Sequence, residues 1–298
     1  MIKVGIYGPA ELNSPVRKQL LRLLLRHPDV DLRAVASPAG NAMPLAELYP
    51  VYTGETKLTL ERNLKLDNID VLFVIDEENI TDDVRLHYEE DPDFHVIVLG
   101  KTPRLLKETD GMEYGFPEYN RKALVRGARA AVNPSAAAML IELALFPLAK
   151  FGVLESDVHV RISGKAVDLD ASATEARRLL QMVESSFDSE VIVGRGGDTT
   201  YERLDAEVRV TTILEFDELE RIYNETYEDH NFAYLVPGKG AFAEDLRGSN
   251  KCLIRLDKES DTLTINASID AMTRGVTGNA VHIMNLFFGL YERTGLSI

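Results

Sequence analysis

The stretch Ile2-Lys3-Val4-Gly5-Ile6-Tyr7-Gly8-Pro9 decides the fold class of this chain. Its apolar, β-branched run, closed by Gly-Pro, predicts a buried strand that ends in a turn. Ser14-Pro15 then predicts the start of a helix, because serine accepts a free backbone N–H and proline at the first helical position has none to lose. The pair His27-Pro28 ends that helix. The chain therefore opens with a strand, a loop and a helix.

The same alternation continues through the first 100 residues. Further strands are predicted at 32–36, 71–75 and 95–99, with a helix from Thr81 to about Tyr88 between the last two. Strands that alternate with helices favour a parallel sheet with right-handed crossovers. The sequence therefore predicts an α/β protein whose first domain is Rossmann-like and parallel.

The pattern changes after Ala136. A helix of small residues is predicted at 136–150, and closely spaced strands follow without helices between them, at 158–163, 191–193, 207–214, 252–257 and 262–270. Asp261-Thr262 reads as a hairpin turn. This order predicts a second α+β domain with a mixed or antiparallel sheet, at 134–274. A last helix, at about 276–291, lies in the segment 275–298 that completes the first domain, 1–133.

Composition limits the classes of function. The net charge of −15 over 298 residues opposes nucleic-acid binding, which needs a cationic face. No apolar run reaches the roughly 18 residues of a membrane span. A single cysteine, Cys252, excludes an internal disulfide, and the six histidines show no metal-ligand spacing. We expect a soluble, cytoplasmic protein without metal, nucleic-acid or membrane partners.

Three passages resemble one family, the N-acetyl-gamma-glutamyl-phosphate reductases of arginine biosynthesis. Two are Leu20 to Pro28, and Tyr114-Gly115-Phe116-Pro117-Glu118-Tyr119-Asn120-Arg121 followed by Asn133-Pro134. The third and strongest begins at Arg247-Gly248-Ser249-Asn250-Lys251-Cys252 and continues through Gly278-Asn279-Ala280-Val281 to Gly289-Leu290. The resemblance spans nearly the whole chain and implies the semialdehyde-dehydrogenase type of fold.

The resemblance also implies a chemistry. Family members use a cysteine thiolate to expel phosphate from an acyl phosphate, and hydride from NADPH then releases the semialdehyde from the thioester. That cysteine follows Asn133-Pro134 by two residues, and this chain has Ala136 there. Ser135 is the nearest hydroxyl, and its position favours an N-cap over a nucleophile. Cys252 corresponds to a second, non-reactive cysteine of the family and is predicted to lie in a core strand.

The base and the cofactor loop also depart from the family pattern. The histidine segment corresponds to Gly194 to Thr200, where Arg195 and Asp198 are the polar candidates and the glycines form either a plain turn or an anion-binding nest. Of the family's three spaced glycines only Gly8 remains, and Glu11 and Pro15 disfavour a phosphate nearby.

The expected contacts to the cofactor's 2′-phosphate are also incomplete. Ser37 remains after the second strand, but Pro38 follows it. Three carboxylates, Asp76-Glu77-Glu78, stand at a cofactor-facing loop, and Arg104 matches a later family segment. We therefore expect no cofactor, and NADP only if the site is retained.

The hypothesis that follows is a pseudoenzyme, a binding, scaffolding or regulatory subunit without reductase activity. One alternative is a conventional NADPH-dependent acyl-phosphate reductase. The other is an enzyme with altered chemistry on an acidic or phosphorylated ligand. No catalytic residue is assigned, and the candidate remnants of the ligand site are Gly8, Ser14, Ser37, Arg104, Asn133, Pro134, Ser135, Arg195 and Asn279. The family resemblance further implies a homo-oligomer, a dimer or tetramer. The alternative is an assembly with an intact paralogue or with another protein.

Overall fold

The computed structural model of the chain describes residues 1–76, 80–99, 112–165, 168–199 and 202–296. Residue contacts divide these into two units. The first contains Met1–Asn133 and Val276–Leu296, and the second contains Pro134–Gly275.

The first unit is built on an eight-stranded sheet in the order β3-β4-β2-β1-β5-β6-β8-β7. All pairs are parallel except β3 with β4. The central strands are buried on both faces, which explains why they read as continuous apolar runs. The strands are β1 Ile2–Tyr7, β2 Val30–Ala36, β3 Met43–Pro44, β4 Thr59–Glu61, β5 Val71–Ile75, β6 His95–Leu99, β7 Glu113–Tyr114 and β8 Ala130–Val132.

Two helices of the first unit, α1 and α3, begin at side-chain caps that are recognisable in the sequence. Ser14 Oγ accepts the N–H of Arg17 at the start of α1, and Thr81 Oγ1 accepts that of Val84 at the start of α3. The α-helix of α1 ends at Leu24, before the predicted stop at His27-Pro28, because the chain tightens there into i→i−3 hydrogen bonds. The helices are α1 Pro15–Leu24, α2 Leu45–Leu48, α3 Asp82–Glu90 and α4 Pro117–Arg126.

The second unit contains a mixed six-stranded sheet in the order β10-β9-β11-β14-β13-β12. β9 with β10 and β12 with β13 are parallel, and the other pairs are antiparallel. The hairpin turn lies one residue before its predicted place, at Ser260-Asp261, where Ser260 adopts φ 51°. The strands are β9 Val158–Ser163, β10 Val191–Arg195, β11 Arg203–Thr211, β12 Ala233–Leu235, β13 Cys252–Glu259 and β14 Thr262–Asp270.

Three helices accompany this sheet: α5 Ala136–Lys150, α6 Leu169–Val183 and α7 Phe216–Tyr227. α5 is buried on every side except at its two ends, which matches a composition that is apolar apart from Glu142 and Lys150. α7 is tied to it by the hydroxyls of Tyr223 and Tyr227, which donate to the carbonyls of Ala144 and Leu143 at 2.5 Å each. Helix α5 was predicted from the sequence, whereas α6, α7 and β12 were not.

The last helix is shorter than predicted. A π-helical turn, Thr273–Thr277, precedes α8, which runs from Gly278 to Phe287. Gly289 has φ 63°, the left-handed conformation that commonly ends a helix, and the Leu290 N–H then bonds the Asn285 carbonyl at 2.8 Å. No helix in the described ranges is long and apolar enough to cross a membrane.

Candidate functional site

The loop after β1 lies at the carboxyl edge of the parallel sheet, where open α/β sheets bind ligands. Its first residue, Gly8, has φ 84°, a conformation that glycine adopts without strain. The loop's carbonyls point to one side chain, the guanidinium of Arg17. Arg17 Nε donates to Gly8 O at 3.1 Å, Nη2 to Pro9 O at 2.6 Å and Nη1 to Leu12 O at 2.8 Å.

Tyr49 completes the enclosure of Arg17. Its hydroxyl oxygen lies 3.4 Å from Arg17 Nη1 and 3.1 Å from Leu12 O, so it can accept from the guanidinium and donate to the loop. Burial lowers the pKa of Arg17 and raises that of Tyr49, while the two groups partly offset these shifts for each other. The guanidinium thus lies in a buried cage made of loop carbonyls and a phenol, and the Glu11 carboxylate of the same loop also raises the pKa of Arg17 without a hydrogen bond to it among the described contacts.

Two residues that were predicted to contact a ligand instead form hydrogen bonds within the loop and the helix that follows it. Ser14 caps α1, and the buried Ser37 hydroxyl donates to Pro9 O at 2.7 Å. Pro15 has no N–H, and the Arg17 N–H is held by Ser14 Oγ at 3.2 Å. A dinucleotide pyrophosphate needs free amides and space at this helix terminus. The residues present do not fit that group.

A second polar cluster of the first unit lies at the end of β8. The Asn133 N–H donates to Val98 O at 2.8 Å, which carries the parallel pairing one residue past the strand. Asn279, at the start of α8, donates to Asn133 Oδ1 and to Gly115 O, both at 2.8 Å. Asn279 is fully buried, and its Oδ1 has no hydrogen-bond partner among the described residues. Asn133 and Asn279 are therefore brought together, as a pair that cross-links α8 to the sheet.

In the second unit, α5 begins at the position that the family resemblance assigns to the nucleophile. Pro134 is buried, and the next residue, Ser135, is the N-cap, whose Oγ accepts the Ala138 N–H at 3.3 Å; this confirms the structural interpretation of Ser135. The Ser135 N–H donates to the buried carboxylate of Glu175 at 3.0 Å. Ala136 is half-buried, and a Cβ on Gly275 would overlap its Cβ. Ala136 offers no group that could attack, donate or accept.

Cys252, the single thiol, lies in β13 and is fully buried. Its backbone pairs with Ile269 of β14 and Ala233 of β12, and its N–H donates to Phe232 O at 2.7 Å. A thiol buried in apolar surroundings is a poor nucleophile, because burial disfavours the thiolate. The prediction of a core cysteine is confirmed.

The segment after β10 is a continuation of the sheet rather than a nest. The Gly196 N–H donates to Ile162 O at 2.6 Å, and that of Gly197 to Ser163 Oγ at 3.1 Å. Arg195 and Asp198 are both exposed. Because residues of β9 accept from these two amides, an anion cannot collect them together, and the segment is neither a nest nor a plain turn.

Several predicted residues lie outside the described ranges, namely Arg104, Glu77 and Glu78. Asp76 is described and has φ 62° just after β5. Within the described ranges no group of three or more His, Cys, Asp or Glu residues could hold a metal ion. For the residues predicted to be remnants of a ligand site, the ligand-binding role stays a prediction. The sequence did not point to Arg17, Tyr49 or Glu175 as functional residues, because no local motif marks them.

Comparisons with known proteins agree with this fold. No family model matches, but the chain is 31% identical to the N-acetyl-gamma-glutamyl-phosphate reductase of Phocaeicola vulgatus over 100% of this chain and 98% of that protein. Identity to the Parabacteroides distasonis protein of the same name is 32%, with the same coverage.

Solved structures of similar fold include aspartate semialdehyde dehydrogenase II from Vibrio cholerae, with TM-score 0.68, 14% identity and coverage of 97% of this chain and 99% of that one. The Candida albicans aspartate semialdehyde dehydrogenase, crystallised with NADP, gives TM-score 0.70, 11% identity and coverage of 96% and 98%. These likenesses confirm the predicted α/β architecture with a second, mixed sheet. The full-length identity above 30% shows that the chain belongs to the N-acetyl-gamma-glutamyl-phosphate reductase family.

Proposed function

We propose that this chain is a family member without reductase activity that acts as a binding, scaffolding or regulatory subunit. The observation that carries the proposal is that the chain has no cysteine at the position of the nucleophile and no accessible cysteine elsewhere. The position for the nucleophile is Ala136, and the single cysteine of the chain is fully buried in β13. Reduction of an acyl phosphate through a thioester requires an accessible thiolate.

The surroundings of Ala136 support the same proposal. Ser135 is a poor replacement for the thiol, because its hydroxyl caps α5 and the neighbouring carboxylate, that of Glu175, accepts from its backbone N–H. Asp198, the candidate near the family's histidine position, is exposed after β10, and the chain has no thiol at position 136 for it to activate.

The competing hypothesis carries over to this chain the activity for which its relatives are named; these relatives are 27–32% identical over nearly the full chain. Under that hypothesis the chain is a working reductase of arginine biosynthesis that uses NADPH. The two hypotheses predict different outcomes in one assay, so that assay decides between them.

The test is the reaction run in reverse, with N-acetyl-glutamate semialdehyde, phosphate and NADP⁺, and with NADPH formation followed by absorbance. The intact Phocaeicola vulgatus relative serves as the positive control. We expect no phosphate-dependent NADPH formation from this chain. Turnover that depends on both phosphate and the semialdehyde would refute the proposal.

The regulatory half of the proposal needs a second measurement. This chain is mixed with an intact reductase from the same family, and the mass of the assembly and the reductase kcat are measured. A mixed assembly or a changed kcat supports a subunit role. An unchanged mass and an unchanged kcat would count against a partnership with an intact paralogue.

A further inference from the structure

Arg17, in the first turn of α1, is an unusual residue to find buried beneath a loop that borders a parallel sheet. Its side chain is fully buried, yet no carboxylate touches its guanidinium among the described contacts. Its charge is instead held by three loop carbonyls and the Tyr49 hydroxyl. A buried cation is costly unless it is hydrogen-bonded, so this set of acceptors is what makes the burial tolerable.

The direction of the loop's dipoles follows from these bonds. The carbonyls of Gly8, Pro9 and Leu12 point inward and present negative partial charge to the space they enclose. A phosphate group requires the opposite, which is N–H groups pointing inward. The Gly8 N–H is also used, since it donates to Ala36 O at 2.9 Å.

We propose that the Arg17 guanidinium replaces the dinucleotide phosphates as the group that the Gly8–Ser14 loop encloses, so that this chain does not bind NADP(H). The loop keeps its place at the sheet edge, but it holds part of its own chain. This inference goes beyond the proposed loss of reduction, because it concerns binding and depends on a different unit.

The first experiment titrates the purified wild-type chain with NADPH and follows nicotinamide fluorescence. The intact Phocaeicola vulgatus relative is titrated in parallel over the same range. We expect saturation for the relative and none for this chain. Saturable binding of NADPH by the wild-type chain would overturn the inference, while binding without turnover would leave the proposed function in place.

The second experiment tests the guanidinium itself. Arg17→Ala removes it and should lower the melting temperature by about 5 °C or more, because the inward carbonyls lose their partner. Low concentrations of methylguanidinium chloride should restore part of that loss in the variant, and sodium chloride at equal ionic strength should not. A variant as stable as the wild type would overturn the inference.

Arg17→Lys provides a milder variant in case the alanine chain does not fold. Lysine keeps the charge but cannot form the forked contacts to several carbonyls. We expect a melting temperature below that of the wild type, with no gain from methylguanidinium because the ammonium occupies the cage. A lysine variant equal to the wild type would show that the fork geometry does not matter, contrary to the inference.

Discussion

Ala136 is the residue at which the proposed loss of chemistry is most direct. It occupies the first position of α5, just after the Ser135 cap. The first turn of a helix carries positive partial charge, which stabilises a thiolate and lowers the pKa of a cysteine placed there. The backbone setting for a reactive cysteine therefore persists, and what is missing is the sulfur.

This leads to a prediction about Ala136→Cys. The new thiol should react with iodoacetamide in the native protein, because it is half-buried at a helix N-terminus. Wild-type protein, whose thiol is Cys252, should react only after unfolding. The measurement is the mass of the labelled protein over time. Equal native labelling of wild type and variant would contradict the assignment of Cys252 to the core.

At the scale of elements, the end of α1 is joined to α8 by a histidine. His27 Nδ1 accepts the Asp29 N–H at 3.2 Å, so the neutral ring carries its proton on Nε2, which donates to Asn285 Oδ1 at 3.0 Å. If Nδ1 also carried a proton, that proton would point at the Asp29 N–H, which is itself a donor, and their hydrogen bond would be lost. Burial lowers the pKa of His27 below its ordinary value of 6.5.

The pH dependence of stability follows from that direction. Between the lowered pKa and about 6.5 the unfolded chain binds more protons at this position than the folded chain does. His27 should therefore contribute fully above about pH 6.5 and progressively less as the pH falls. Melting temperatures at about pH 7.5 and pH 5.5 measure the effect.

His27→Gln is the control for this prediction. The glutamine does not titrate, so the drop in melting temperature on acidification should shrink. Part of the drop should remain, because burial also lowers the pKa of His95. An undiminished drop would assign the pH dependence to other groups.

At the scale of the whole molecule, the mixed sheet leaves part of one face open. Ile192 of β10 is 45% exposed, and Arg161 and Arg209 beside it are also exposed. Residues at facing positions of neighbouring strands, such as Ile192, His159 and Arg209, lie on the same side of the sheet. We propose that this face joins copies of the chain in a homo-oligomer.

The prediction is tested by light scattering on the purified protein. Wild type should give a multiple of the chain mass, and Ile192→Glu should shift the population toward the single chain because it puts a charge into the interface. Leu86→Glu, on an exposed site of α3 in the other unit, is the matched control. Wild-type protein with the mass of one chain would refute the oligomer.

The sequence by itself determined the elements whose signals are local. Such signals depend on neighbours within a few residues, and they were interpreted correctly. They include the run from Ile2 to Tyr7, the caps Ser14 and Ser135, and the core strand of Cys252. α6 and α7 were missed although the sequence carries their signal, since the buried residues of α7, such as Leu219, Ile222 and Tyr223, recur at helical spacing.

Only the tertiary structure decided what the loop after β1 encloses. Arg17 reaches Tyr49 over 32 residues of sequence, and its carbonyl partners are defined by the path of the loop rather than by side-chain type. Likewise, Asn279 meets Asn133 across 146 residues. Backbone carbonyls leave no mark in a sequence, so whether a loop receives a phosphate or a guanidinium depends on the direction in which folding turns them.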